Sequence, residues 1–153
     1  MSKSKKTVII EEKFDIYISY DYNSKTQIRQ LYDKLTALYE FKIWLDEIEI
    51  DLDRNLNKQL MNGIRESKLF MCCLTNDYTF SDTSVDEIAL ADELKKPFLV
   101  LLLEDDKDLL TYLDSQISQN QLAVFNCFQD TYFFDHLSGD LFNSILFNKK
   151  NSS

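Results

Sequence analysis

The chain has 153 residues, 44% of them hydrophobic and 28% charged, with 17 basic against 26 acidic side chains and a formal net charge of −9. That length and balance suit one core-forming domain, and a surface this acidic repels nucleic-acid backbones and anionic membranes. With no run of roughly 18 apolar residues and no secretory leader pattern, a soluble, cytoplasmic protein is expected.

The opening residues 1–11 read as a tail, Met1–Lys6 as a disordered one. Phe14–Tyr20 (FDIYISY) mixes aromatic and β-branched residues, the signature of a buried strand. Past Asp21–Ser24, Ile28, Leu31, Tyr32, Leu35, Leu38 and Tyr39 recur at steps of three and four and predict one face of a helix. Phe41–Leu45 (FKIWL) is a second strand, followed by an acidic loop over Asp46–Asn55. Leu56, Leu60, Met61 and Ile64 mark a second helical face.

Lys68–Thr75 (KLFMCCLT) is apolar on both faces, as a central strand covered on each side must be. The polar loop Asn76–Thr83 leads to a helix over Ser84–Leu94. Pro97 then stops that helix and opens a further strand, Phe98–Leu103. A weaker helix over Leu109–Ile117, a fifth strand at Leu122–Phe128 and a closing helix carrying Phe134, Leu137, Leu141, Phe142, Ile145 and Leu146 complete the order. Residues 148–153 read as a second tail. Strand and helix alternate five times, so right-handed crossovers require a parallel five-stranded sheet with helices on both faces, flavodoxin-like in strand order. The domain is expected over residues 12–147.

Several chemistries are excluded by count. The two glycines, Gly63 and Gly139, cannot build a phosphate-cradling loop or a dinucleotide fingerprint. Cys72, Cys73 and Cys127 with the single His136 provide no metal-ligand spacing, and the adjacent pair on a strand must point to opposite faces as inert buried thiols. No metal site is expected. A Cys127–His136 dyad lacks any supporting motif.

In such sheets the working crevice lies beyond the carboxyl ends of the strands. That edge gathers Tyr20 and Asp21, Trp44 and Asp46, Asn76 and Asp77, and the helix start with Ser84 and Glu87. Receiver domains share the architecture, but they need an acidic pair after the first strand and a Lys after the fifth. Here only Asp21 follows the first, and Phe128 and Gln129 follow the fifth.

Another family fits most segments. The first strand resembles the F-D-I-Y-I-S-Y-D of Toll/interleukin-1 receptor (TIR) domains. Phe41–Ile50 (FKIWLDEIEI) is similar to the V-W-x-D segment before that family's BB loop, and Asn62–Ser67 (NGIRES) to its I-x-x-S step into the third strand. Tyr78–Ala91 (YTFSDTSVDEIALA) with Lys96–Pro97 resembles its Y-x-x-S-x-x-C-x-x-E-x-x-x-A stretch and following K-P. The departures are Ser84 where many members have Cys, and Thr83 where catalytic members carry Trp. The loop also reads Asp51-Leu52-Asp53-Arg54 instead of Pro-Gly, as in non-receptor members.

The resemblance implies two kinds of activity, homotypic assembly in innate-immune or cell-death signalling and cleavage of the nicotinamide–ribose bond of NAD. For the second, it makes Glu87 the catalytic carboxylate, NAD a substrate and not a cofactor, and Tyr20, Asp21, Trp44, Asp46 and Ser84 the lining of the nucleotide pocket. A lone carboxylate suffices chemically, because nicotinamide leaves as a neutral amine and needs no general acid. Read from spacing alone, Ser84-x-x-Glu87 is a capping box at a helix start. Trp44 suits the core better than the pocket, and Tyr20–Asp21 suit a plain strand-end turn at least as well.

For assembly, the contact surface is the BB loop: Glu47, Glu49, Ile50, Asp51, Leu52, Asp53 and Arg54. Five carboxylates fall within Asp46–Asp53, interleaved with Ile48, Ile50 and Leu52. Such a loop is either a solvated turn or a docking surface for a basic patch. Lys25, Arg29 and Lys34 on the first helix offer such charge in a second copy or another TIR domain.

Overall fold

The computed structural model describes residues 11–118 and 123–128. The predicted closing helix, His136 and the chain tails lie outside the described residues. The five strands β1 (Phe14–Ser19), β2 (Ile43–Trp44), β3 (Ser67–Leu74), β4 (Phe98–Leu102) and β5 (Ala123–Asn126) form one sheet. Its order is β2-β1-β3-β4-β5 and every pairing is parallel, the expected flavodoxin-like arrangement. The helices between them are α1 (Lys25–Tyr39), α2 (Asp46–Glu49), α3 (Leu56–Arg65), α4 (Asn76–Thr79), α5 (Asp82–Glu93) and α6 (Asp108–Gln116).

Strand periodicity divides the core in two. Ile16 and Ile18 of β1, with Met71 and Cys73 of β3, pack with Ile28, Leu31 and Leu35 of α1. Tyr17, Phe70, Cys72 and Leu74 lie on the other face, packed with Leu60 and Ile64 of α3, Ile88 and Ala91 of α5, and Leu109 and Leu113 of α6. Cys72 and Cys73 therefore enter opposite layers. All three thiols are buried and unpaired, and burial pushes the Cys72 thiol up to about 12. At neutral pH that thiol is a hydrophobe and not a nucleophile.

The second face carries an aromatic row across four strands. Register places Tyr17 opposite both Trp44 and Phe70, and Phe70 opposite Phe98. Ring centroids follow at 4.7, 5.7 and 4.9 Å, within the range where offset-stacked and tilted pairs attract. Trp44 ends this row against Gly63 of α3. A Cβ built there would lie 2.5 Å from Trp44 Cε2, so only glycine lets the indole pass.

Strand ends fall within two residues of the sequence reading, the second strand shortening from Phe41–Leu45 to Ile43–Trp44, and three further differences have local reasons. The acidic loop after β2 opens with a helical turn, α2, because Asp46, Glu47 and Glu49 all fall in its first turn, where carboxylates meet the positive end of the helix. The polar segment after β3 likewise contains α4, capped by Thr75, whose hydroxyl accepts from the Tyr78 amide at 3.1 Å. The third long helix begins at Asp82 instead of Ser84, with Ser81 as its N-cap. It ends at Glu93, Lys95 takes the left-handed conformation (φ 56°), and Pro97 follows at the strand entry.

Candidate functional site

Glu87 is not a cap. Ser81 Oγ accepts from the Ser84 amide at 3.3 Å, and Glu87 stands one turn further along α5. Ser84, Glu87, Ile88 and Ala91 are the buried residues of that helix, spaced as a core-facing stripe. A carboxylate thus occupies a position that the pattern reserves for apolar side chains. Burial of an unpaired carboxylate is costly, and neighbours on β1 offset it. The Tyr17 hydroxyl donates to Glu87 Oε2, and Ser19 Oγ donates to Oε1 at 3.3 Å. Tyr17 and Ser19 are two apart on one strand, so both face α5.

Behind Ser19 the network continues. Ser19 Oγ and the Tyr78 hydroxyl are 2.7 Å apart, and Cys72 Sγ donates to that hydroxyl at 3.5 Å. Every group beyond Glu87 is a neutral hydroxyl or thiol. Desolvation therefore dominates and raises the Glu87 carboxyl to about 7, against the lowering effect of Tyr17 and Ser19; Asp46 and Asp86 add to the rise. A carboxyl at about 7 is poised between its two forms under physiological conditions.

Glu87 is nevertheless reachable. A cleft of about 270 Å³ is lined by Tyr17, Ile18, Tyr20, Asp21, Tyr22, Asp46, Leu56, Leu60, Ser81, Thr83, Ser84 and Glu87. A larger cleft of about 580 Å³ adjoins it, sharing Tyr20, Tyr22, Asp46 and Leu56 and adding Lys25, Glu47, Ile50 and Leu52. The tips of β1 and β2 meet where the two clefts join, through the Tyr20 hydroxyl donating to Asp46 Oδ1 at 2.6 Å. Burial and then this bond raise the Tyr20 phenol far above its ordinary value, so it remains a donor at any working pH.

Of the pocket residues expected from sequence, Tyr20, Asp21, Asp46 and Ser84 line the cleft with Glu87. Asp21 also accepts from the Asn23 amide at 3.0 Å, capping a 3-10 turn over Tyr22–Ser24. Trp44 is not among the lining residues. It is buried and stacked on Tyr17 at 4.7 Å with 15° between the planes, so the core alternative holds. The aromatic surface at the cleft mouth is Tyr20 and Tyr22 instead. Sequence reasoning missed Tyr17, Ser19, Leu60 and Tyr78. Two-residue alternation in β1 was the available signal for Tyr17 and Ser19, whereas nothing local points to Tyr78.

The expected contact loop is ordered by its own bonds. Gln59 brackets Asp51, accepting from its amide and donating to its carbonyl, both at 2.8 Å. Asp51 pairs with Arg54 at 3.4 Å, and Glu47 with Arg29 at 3.7 Å. Glu49, Asp53 and Arg54 are exposed, Ile50 is half-buried, and Leu52 is 92% exposed.

The TIR domain family profile matches residues 16–138, about four-fifths of the chain. The chain belongs to the TIR family. No curated protein matches the sequence of this TIR domain closely enough to be taken as a relative. Solved structures resemble it in fold. The TIR domain of the Toll-related receptor TRR-2 from Hydra magnipapillata superposes with a TM-score of 0.67 at 14% identity, covering 87% of this chain and 98% of that one. A TIR-STING receptor from C. gigas, solved with 2',3'-cGAMP, gives 0.64 at 15% identity over 88% of this chain and 40% of that chain. The TIR domains of the activated Roq1 resistosome, which recognises the pathogen effector XopQ, give 0.57 at 15% identity over 92% and 100%. Among the described residues no helix is long and apolar enough to cross a membrane.

Proposed function

We propose that this TIR domain signals by self-association and hydrolyses NAD at Glu87, releasing nicotinamide. The observation that carries the hydrolytic reading is a buried carboxylate at the wall of an open cleft, held by Tyr17 and Ser19 and raised to about 7. A purely structural glutamate has no need of a cleft beside it.

In the reaction the bond between ribose C1' and the pyridinium nitrogen breaks, and its electron pair leaves with nicotinamide, which becomes neutral. Positive charge passes to the ribose as an oxocarbenium-like centre. Ionised Glu87, itself buried at the cleft wall, stabilises that charge and accepts hydrogen bonds from ribose hydroxyls. Water then forms the new C1'–O bond and its proton passes to solvent. Tyr17 and Ser19 hold the carboxylate in place without accepting the proton themselves. Tyr20 and Tyr22 offer ring surface in the same cleft as Thr83, which stands where catalytic relatives carry Trp.

Exposed Ile48, Leu52 and Leu56 beside Glu49, Asp51 and Asp53 support the assembly half. Exposed apolar side chains among mostly acidic neighbours, with Arg54 the one cation of the loop, suit a contact with a basic surface. The test is nicotinamide release by purified protein at high concentration, comparing wild type with Glu87→Ala. Loss in the variant supports hydrolysis. Equal background from both proteins leaves a non-catalytic scaffold.

A further inference from the structure

The charged side chains that line the joined clefts are acidic with one exception. Asp21, Asp46, Glu47 and Glu87 line them, against one basic residue, Lys25, among the described residues. Lys25 lies on the first turn of α1, in the larger cleft, whereas Glu87 lines only the smaller. Its ammonium donates to the Tyr22 hydroxyl at 2.8 Å and stands 4.6 Å from the Tyr22 ring centroid. The next cation along the helix, Arg29, is engaged by Asp33 at 3.2 Å and by Glu47 at 3.7 Å. Lys25, bonded to a neutral phenol, keeps its charge available to a ligand.

A nicotinamide dinucleotide is cationic at the pyridinium and doubly anionic at the diphosphate. Its cationic end suits the wall at Glu87, but the charges the diphosphate meets elsewhere in these clefts are the carboxylates Asp21, Asp46 and Glu47, with Lys25 the one cation among the described lining residues. Resting on the Glu87 reading for the orientation of the ligand, we infer that Lys25 binds the substrate diphosphate. An ammonium acts as a point charge toward phosphate and tolerates several approach directions. Tyr22 holds it over the larger cleft, where Ile50, Leu52 and Leu56 form the apolar wall available to the second nucleoside.

The experiment titrates the full chain with ADP-ribose, which keeps the diphosphate but has no bond to cleave, by calorimetry at two salt concentrations. Lys25→Ala is expected to weaken binding about tenfold and Lys25→Glu further, while Lys25→Arg retains most of the affinity. The dependence of affinity on salt should also flatten in Lys25→Ala. Equal affinity across the four proteins, or no binding by wild type, overturns the inference. Because no reaction is involved, Lys25-dependent binding without nicotinamide release would uphold it while the hydrolytic reading of Glu87 fell.

Discussion

Tyr17 on β1 and Glu87 on α5 are separated by 70 positions in sequence, yet the phenol donates directly to the carboxylate. The same ring stacks on Trp44 on one side and Phe70 on the other. The aromatic row therefore fixes the position of the hydroxyl that fixes Glu87. Core packing and site geometry are one structure here.

Tyr17→Phe keeps the ring and removes the donor. A hydrogen bond to a charged group is worth about 1.5–3 kcal/mol, and each 1.36 kcal/mol is one pKa unit. Since Tyr17 lowers the Glu87 pKa, its loss should raise it. The rising limb of kcat/KM for NAD, expected near pH 7 in wild type, should move about one to two units alkaline in the variant. A pH profile in the same place for both proteins would show that Tyr17 does not act on Glu87.

Stability should depend on pH through the same carboxyl. Its pKa is about 7 when folded against an ordinary 4.5, so between those values the folded state binds more protons than the unfolded one. Stability then falls as pH rises through this window, by about 3 kcal/mol in total. Glu87→Gln keeps an acceptor for Tyr17 and cannot ionise. Urea melts should show the variant gaining on wild type from pH 5 to pH 8, and a constant difference would contradict the raised pKa.

Gly63→Ala should be costly despite the high helix propensity of alanine. The new Cβ would stand 2.5 to 2.8 Å from three atoms of the Trp44 indole. Displacing Trp44 strains its stack on Tyr17, and overpacking of this kind costs about 1–3 kcal/mol. Thermal unfolding should shift down by several degrees, at roughly 2–4 °C per kcal/mol for a chain this size. An unchanged melting temperature would mean that the aromatic row yields freely.

Self-association should be sensitive to the exposed loop. Reversing charge at Glu49 and Asp51, or replacing Leu52 by Ser, should shift sedimentation at high concentration toward monomer. Neither change touches the buried core, so folding should be preserved by circular dichroism. Wild-type sedimentation in all variants would remove this loop from the contact.

The parallel sheet and its order were legible because short apolar runs, buried on both faces in β3 and β4, alternate with helices of clear three-to-four periodicity, and connection handedness leaves few topologies. The site was legible in part. Tyr20, Asp21 and Asp46 converge as strand-end residues must in this fold. Ser84-x-x-Glu87 misled as a cap because Ser81 competes for the same role, and three residues decide whether Glu87 is exposed or buried. Its place on the Ser84–Ile88–Ala91 stripe was the informative pattern. Trp44 could not be assigned locally, since its burial depends on Gly63 and Tyr17, brought to it only by the folded sheet. The same holds for Tyr78, whose hydroxyl reaches Ser19 across 59 positions.

The most direct measurement is nicotinamide release from NAD at high protein concentration by wild type, Glu87→Ala and Glu87→Gln. The account predicts turnover in wild type that rises through about pH 7 and is lost in both variants. Release by Glu87→Gln at the wild-type rate, or none by wild type at any pH, would contradict it.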